Sequence, residues 1–404
     1  MIIDMAAEQG GAPQATIPGS AFRTSVSQAA LIGSTAGHGF ELDDIHAAAH
    51  LHCGSLCVPL ALAIGEWRKL DGRAVIAAVV AGYEAGLRVG LAATGSLFMR
   101  GFHFQGTCGA FAAAAAAAHA MGLDAGQTRH ALAIAGSQAA GLMAAQEGGM
   151  VKRMHCGRAA QSGVYGALLA ARGFTGIANV LEAPYGGFLS SHTDSAMPKR
   201  ATENLGKHWR ILEVGYKPYA SAASTHTALY ALATMMKENN LRARDIAHIN
   251  LYCSTMAYRH CAWPYAPQGV TTAQMSLFYT LAVMAHDGEV LTEQFDDDRL
   301  ADPALLDFMR RINIEVDRAY DAGGDATRHE TRMSVLSRDG RRFEKHSKYR
   351  KGSPENPMSR EECHAKFRRL AGVLPPAAAD RVIREVEALE NAPGLGRLIA
   401  LLRP

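Results

Sequence analysis

Between His38 and His52 the sequence crowds three carboxylates, Glu41, Asp43 and Asp44, with four imidazoles, His38, His46, His50 and His52. Apolar segments on both sides are long enough to be buried helices, so these charges sit beside a core and need a role there. One role is structural: Asp43 and Asp44 could cap a helix N-terminus, where free amides and the dipole favour carboxylates. Another is metal binding by Asp44, His46, His50 and His52, with His46 and His50 one turn apart if the segment is helical. The Glu of an HExxH zinc motif is missing, with Ala47 in its place. The third is proton transfer, for which histidine titrates nearest neutrality and His52 is the best single candidate.

Two further stretches carry chemistry. Gly101-Phe102-His103-Phe104-Gln105-Gly106-Thr107-Cys108-Gly109 is a glycine-rich loop that runs straight into an alanine-rich segment. Loop glycines before a helix start make an anion site from free amides, or simply a tight turn. The run Glu147 to Ala160 gathers Lys152, Arg153, His155 and Arg158 between small-residue helices. A lysine entering such a core prefers a carboxylate partner or a lowered pKa; the alternative is a surface loop of snorkelling bases.

The elements that must position these residues follow from periodicity. Leu56 to Ile64, Val75 to Leu87 and Phe111 to Ala120 read as buried helices. Asp124 and Gln127 form a capping box whose helix is expected to reach about Ala145. Beyond Gly176 the chain is turn-rich to about Trp209. Ile249, Leu251 and Cys253, then Ile312, Ile314 and Val316, then Met333 and Val335 before Asp339-Gly340, alternate as strands. Helical patterns near 224–236, 273–286 and 303–311 lie among them. From Ser359, capped with Glu362, helices return over 360–372, 377–390 and 394–402. These last helices need a surface to bury against. The expected architecture is α plus α/β: a large all-helical domain built from 1–211 and 353–404, with a smaller α/β lid domain, 212–352, inserted.

At 404 residues, with 48% hydrophobic and 20% charged, the chain is an ordinary globular one, and a net charge of +3 points to no polyanionic partner. The basic arm from Arg341 to Lys351 is a solvated hairpin, its aromatics too sparse for nucleic acid. Seven scattered cysteines without CxxC pairs favour a reducing, cytoplasmic setting, and no signal or membrane-span pattern stands out.

Taken in order, Ala36-Gly37-His38 to Asp43-Asp44, His52-Cys53-Gly54, Gly101-Phe102-His103, Lys152-Arg153-Met154-His155-Cys156-Gly157-Arg158-Ala159-Ala160, and Tyr216-Lys217-Pro218-Tyr219 with Thr225-His226 resemble the MmgE/PrpD family over essentially the whole chain. Members include 2-methylcitrate dehydratase, cis-aconitate decarboxylase and iminodisuccinate epimerase. The resemblance implies a homodimer with a site between the two domains, no metal or organic cofactor, and a di- or tricarboxylate substrate. It implies catalytic roles for Asp43, Asp44, His52, His103 and Lys152, and substrate binding by Glu41, Lys152, Arg153, Lys217 and His226. Lys152 and Lys217 would clamp carboxylates, and His103 would assist binding or proton transfer.

A hydro-lyase of the 2-methylcitrate dehydratase type is the expected activity, with decarboxylase or epimerase as siblings and a non-catalytic carboxylate binder as the alternative. The chain departs from the family's Asp-Phe-Asp-Asp-Thr run, reading Glu41-Leu42-Asp43-Asp44-Ile45. It has one extra residue before His52, Cys53 where proline is usual, and no first helical stretch before Met1.

Overall fold

The computed structural model describes residues 1–324 and 327–403. Short turns aside, the first half is built from α1 (Ile2–Gln9), α2 (Val26–Gly37), α3 (Cys53–Arg68), α4 (Gly72–Ala93), α5 (Cys108–Ala120), α6 (Ala125–Gly136) and α7 (Val151–Ala170). α5 lies at the centre, with every residue but His119 buried. Its alanines let neighbouring backbones come close: a Cβ on Gly163 of α7 would stand 2.5 Å from Ala113. α4 is long and apolar enough by composition to cross a membrane, but here it packs along α5 in the core.

Two segments differ from the sequence-based expectation. The helix capped by Asp124 ends at Gly136 rather than near Ala145. The residues beyond it are drawn under the glycine-rich loop: Gly141, at φ 143°, accepts from the His103 amide at 3.0 Å, and Leu142 bridges Phe102. The Lys152 segment, expected as a loop, is helical from Val151. Lys152 and Arg153 therefore occupy a first turn, where the helix dipole disfavours cations. Something negative must hold them there.

The second half forms around a four-stranded sheet of β1 (Ile246–Cys253), β2 (Ile312–Val316), β3 (Thr331–Ser337) and β4 (Arg342–Ser347), in the order β2-β1-β3-β4. Leu251 of β1 stands opposite Ile314 in the parallel pair and opposite Met333 in the antiparallel one. The β3–β4 hairpin turns at Asp339-Gly340, with Gly340 at φ 87° supplying the left-handed residue. α8 (Ala223–Glu238), α9 (Thr255–Cys261), α10 (Leu277–Asp287) and α11 (Pro303–Met309) complete this part. Their apolar residues join Ile249, Leu251 and Met333 in a second core, separate from the first. The ending, α12 (Arg360–Leu370), α13 (Pro376–Glu387) and α14 (Gly396–Leu401), returns to the first core through Leu395 and Ile399.

Candidate active site

After α2 the chain stays out of helix until Cys53, and this stretch is a loop pinned at both ends. Glu41 (φ 55°) and His50 (φ 54°) both take the left-handed backbone region, which non-glycine residues seldom hold without outside support. Ile45 exchanges two backbone hydrogen bonds with Gly215, at 2.8 and 2.9 Å. That bridge fixes the acidic run beside Lys217.

The Glu41 carboxylate is the hub. One oxygen accepts from both Lys152 and Arg153, and the other accepts from Lys217 at 2.8 Å. All four side chains are buried. Burial alone would raise the Glu41 pKa, but Lys152, Lys217 and Arg153 hold it well below the ordinary range. Burial also pulls Lys152 down to about 8, with Glu41 opposing the shift. Arg153 reaches on to Gln274 at 2.7 Å, and Gln274 in turn donates to the Phe40 carbonyl, tying the second half to the hub.

Asp43 is a second, smaller hub. It accepts from His38 at 2.6 Å, from Ser55 at 3.1 Å and from Lys217 at 3.2 Å, with His52 Nδ1 at 3.4 Å. Burial opposes its ionisation, yet His52, Lys217 and His38 keep it well below the ordinary carboxylate range. Burial lowers His38 to about 4 against the pull of Asp43, so His38 is neutral near pH 7 with its Nδ1 proton on Asp43. His52 donates from Nδ1 to the Asp44 carbonyl at 2.7 Å, which leaves Nε2 as the nitrogen available for chemistry.

Asp44 has a structural task. Its carboxylate accepts from the Gly54 amide at 2.8 Å and from the Tyr83 hydroxyl at 2.7 Å, so it serves the first turn of α3 from outside the helix. A Cβ on Gly54 would lie 2.5 Å from the Asp44 oxygen, which explains the glycine of His52-Cys53-Gly54. Burial raises the Asp44 pKa, with the Tyr83 hydrogen bond opposing it.

The metal grouping does not form. His46 turns to Glu213 at 2.8 Å, while His50 meets Arg328 at 2.7 Å and stacks on Phe104. Among the described residues no cluster of three or more His, Cys, Asp or Glu is arranged for a metal ion.

A cavity of about 50 Å³ lies between the halves, walled on the helical side by Glu41, His52, His103 and Lys152. Asp43, Arg153 and Lys217 stand outside this wall and reach it through Glu41 and His52. Asp44 and His226 do not line it. His226 is buried against Tyr219, donating from Nε2 to the Ser221 carbonyl at 3.1 Å. The glycine-rich loop presents His103, whose pKa is pushed well below its ordinary value by burial and then by Lys152.

Sequence reasoning missed the opposite wall. Ser224 and His260, paired at 2.9 Å, join Arg328 and His329 there. They come from a helix start, a short helix end and the loop before β3, and no motif marks them.

The MmgE/PrpD N-terminal domain matches residues 1–200, and the MmgE/PrpD C-terminal domain matches residues 219–391. Cis-aconitate decarboxylase of Aspergillus terreus is 33% identical over 384 residues, covering 90% of this chain and 78% of the relative. The cis-aconitate decarboxylase-like protein oryM of Aspergillus oryzae is 32% identical, covering 93% and 82%. Human cis-aconitate decarboxylase is 28% identical, covering 94% and 80%. With both family domains matched in order along its length, the chain belongs to the MmgE/PrpD family.

Proposed function

We propose that this protein decarboxylates a cis-aconitate-like unsaturated tricarboxylate. The observation that carries the reading is the cavity wall that sets Lys152 and its cation cluster beside two imidazoles, His52 and His103. Relatives named for this reaction support it over the hydro-lyase expected from the motifs alone.

The chemistry needs a cationic site and one acid. The bond from carbon to one carboxylate breaks and carbon dioxide leaves. Its electron pair forms a new carbon–carbon double bond. The pair of the old double bond moves onto the carbon beside a remaining carboxylate, as an enolate-like charge, and that carbon takes one proton. Lys152, backed by Arg153 and Lys217, stabilises the charge, and preorganised donors in a dry site do this with little reorganisation. His52 gives the proton from Nε2, the nitrogen that its Nδ1 hydrogen bond to the Asp44 carbonyl leaves free.

A cavity of 50 Å³ holds a few waters and is well below the size of ordinary ligand pockets. Substrate therefore enters when the two walls part. A wider cleft of about 930 Å³, carrying Arg200, Arg210 and Lys348, shares Ile45 and His329 with the cavity and gives the approach.

The test is carbon dioxide release from cis-aconitate by purified protein, with His52→Ala alongside. Loss of a positioned acid is expected to cut kcat by about 10²- to 10⁴-fold, with the thermal melt little changed. Wild-type turnover retained in His52→Ala would remove His52 from the reaction.

A further inference from the structure

Decarboxylation consumes one proton per turnover, because the carboxylate leaves as neutral carbon dioxide and the carbon that keeps the electrons is protonated. That proton must be replaced from outside before the next turnover. The glycine-rich loop that carries His103 offers a way in.

His103 lines the cavity, and its Nδ1 lies 3.0 Å from Nδ1 of His155, with the rings 5.2 Å apart. His155 is not part of the cavity wall. It lines an outer groove of about 480 Å³, beside Met154, Arg158 and Leu142. Two imidazoles in direct hydrogen bond thus join the cavity to a separate groove between α7 and the stretch from Gln138 to Ala145. The contact is held by backbone: the His103 amide donates to Gly141, whose own α-carbon region packs on the His155 ring. Nitrogen facing nitrogen is informative, since one ring must donate and the other accept, and a neutral pair can share the proton either way.

Resting on the decarboxylase reading, we propose that His155 and His103 form a proton relay that recharges the cavity from the outer groove after each turnover. His155 takes a proton on Nε2 from groove water and passes its Nδ1 proton to Nδ1 of His103. His103 then releases its Nε2 proton into the cavity, where it restores His52. One proton enters at the groove and one arrives in the cavity. Both rings end as the opposite neutral tautomers, and they reset by turning or by exchange. His155 acts through His103 and is a positioning residue; it touches no reacting atom.

The experiment is rapid-mix kinetics on the full chain with cis-aconitate, comparing wild type, His155→Gln and His155→Phe. Both variants are expected to make the first product at close to the wild-type rate, because the relay is needed only to resupply the proton for later turnovers. They then slow in steady state by about tenfold or more, and added imidazole, small enough to enter the groove, restores the steady rate of His155→Phe. KM should stay within about twofold to threefold of wild type. Steady-state rates equal to wild type in both variants would overturn the relay, as would an equal fall in first and later turnovers without rescue, which marks a merely structural residue. A wild-type protein that releases no carbon dioxide would instead overturn the underlying decarboxylase reading, and the relay with it.

Discussion

Glu41→Gln is expected to lower folding stability by about 3–5 kcal/mol, the usual cost of removing one partner from a buried ion pair. The substitution keeps the shape but leaves Lys152, Arg153 and Lys217 facing one another with only Asp43 in reach of Lys217. Part of the strain is relieved by proton loss: Lys152 already sits near 8, and Glu41 is the group that holds it that high. The variant should therefore also lose the Lys152 charge near neutrality, and turnover with it. Acid sensitivity gives a second signature. Glu41 has a folded pKa below its ordinary 4.5, so the folded state binds fewer protons than the unfolded one as the pH drops through that range. Its contribution is fully present above about pH 4.5 and is lost as pH falls towards the folded value. Urea unfolding at pH 7 and pH 4 should show wild type losing more stability on acidification than Glu41→Gln. Equal losses would mean that Glu41 is not the charge that holds the cluster.

Lys152→Met should do the reverse, sparing the fold and removing the reaction. Glu41 keeps Arg153 and Lys217 as counter-ions, so no buried charge is stranded, and methionine fills most of the lysine stem's volume. The cation lost is the member of the Glu41 cluster that lines the cavity, where enolate-like charge develops. Removing a single preorganised donor of this kind costs about 10²- to 10³-fold in kcat. Steady-state kinetics together with a thermal melt measure both halves of the expectation. A melt lowered as far as that of Glu41→Gln, or turnover within a few-fold of wild type, would contradict this assignment.

Several features that decide the site were readable in the sequence, and their physical basis explains which. The strands around Leu251, Ile314 and Met333 were legible because one alternating face is buried. The caps at Asp124 and Ser359 are local, each needing only four residues. That Lys152 would need a carboxylate or a lowered pKa followed from its surroundings, and it has both. Which carboxylate it finds was not legible, since Glu41 lies 111 residues away. The helical start at Val151 was hidden for the same reason: cations in a first turn oppose the dipole, and only the distant Glu41 makes them tenable. Asp44 carried three readings, helix capping, metal binding and the catalytic role that the resemblance implied, and its hydrogen bonds to Gly54 and Tyr83 are those of the first. Ser224, His260, Arg328 and His329 gave no signal, because the wall they form exists only where the second half meets the first. Glu41, expected to bind substrate, lines the cavity with both oxygens already taken by cations.

The most direct test of the central claim is proton NMR of cis-aconitate with wild-type protein in D₂O, with 2-methylcitrate and citrate in parallel tubes. The expected result is loss of carbon dioxide from cis-aconitate, giving an unsaturated dicarboxylate with a single deuterium on the carbon beside a remaining carboxylate. The two hydroxy acids should remain unchanged. Water elimination from 2-methylcitrate with cis-aconitate left intact would contradict the decarboxylase reading and restore the hydro-lyase that the motifs alone had favoured.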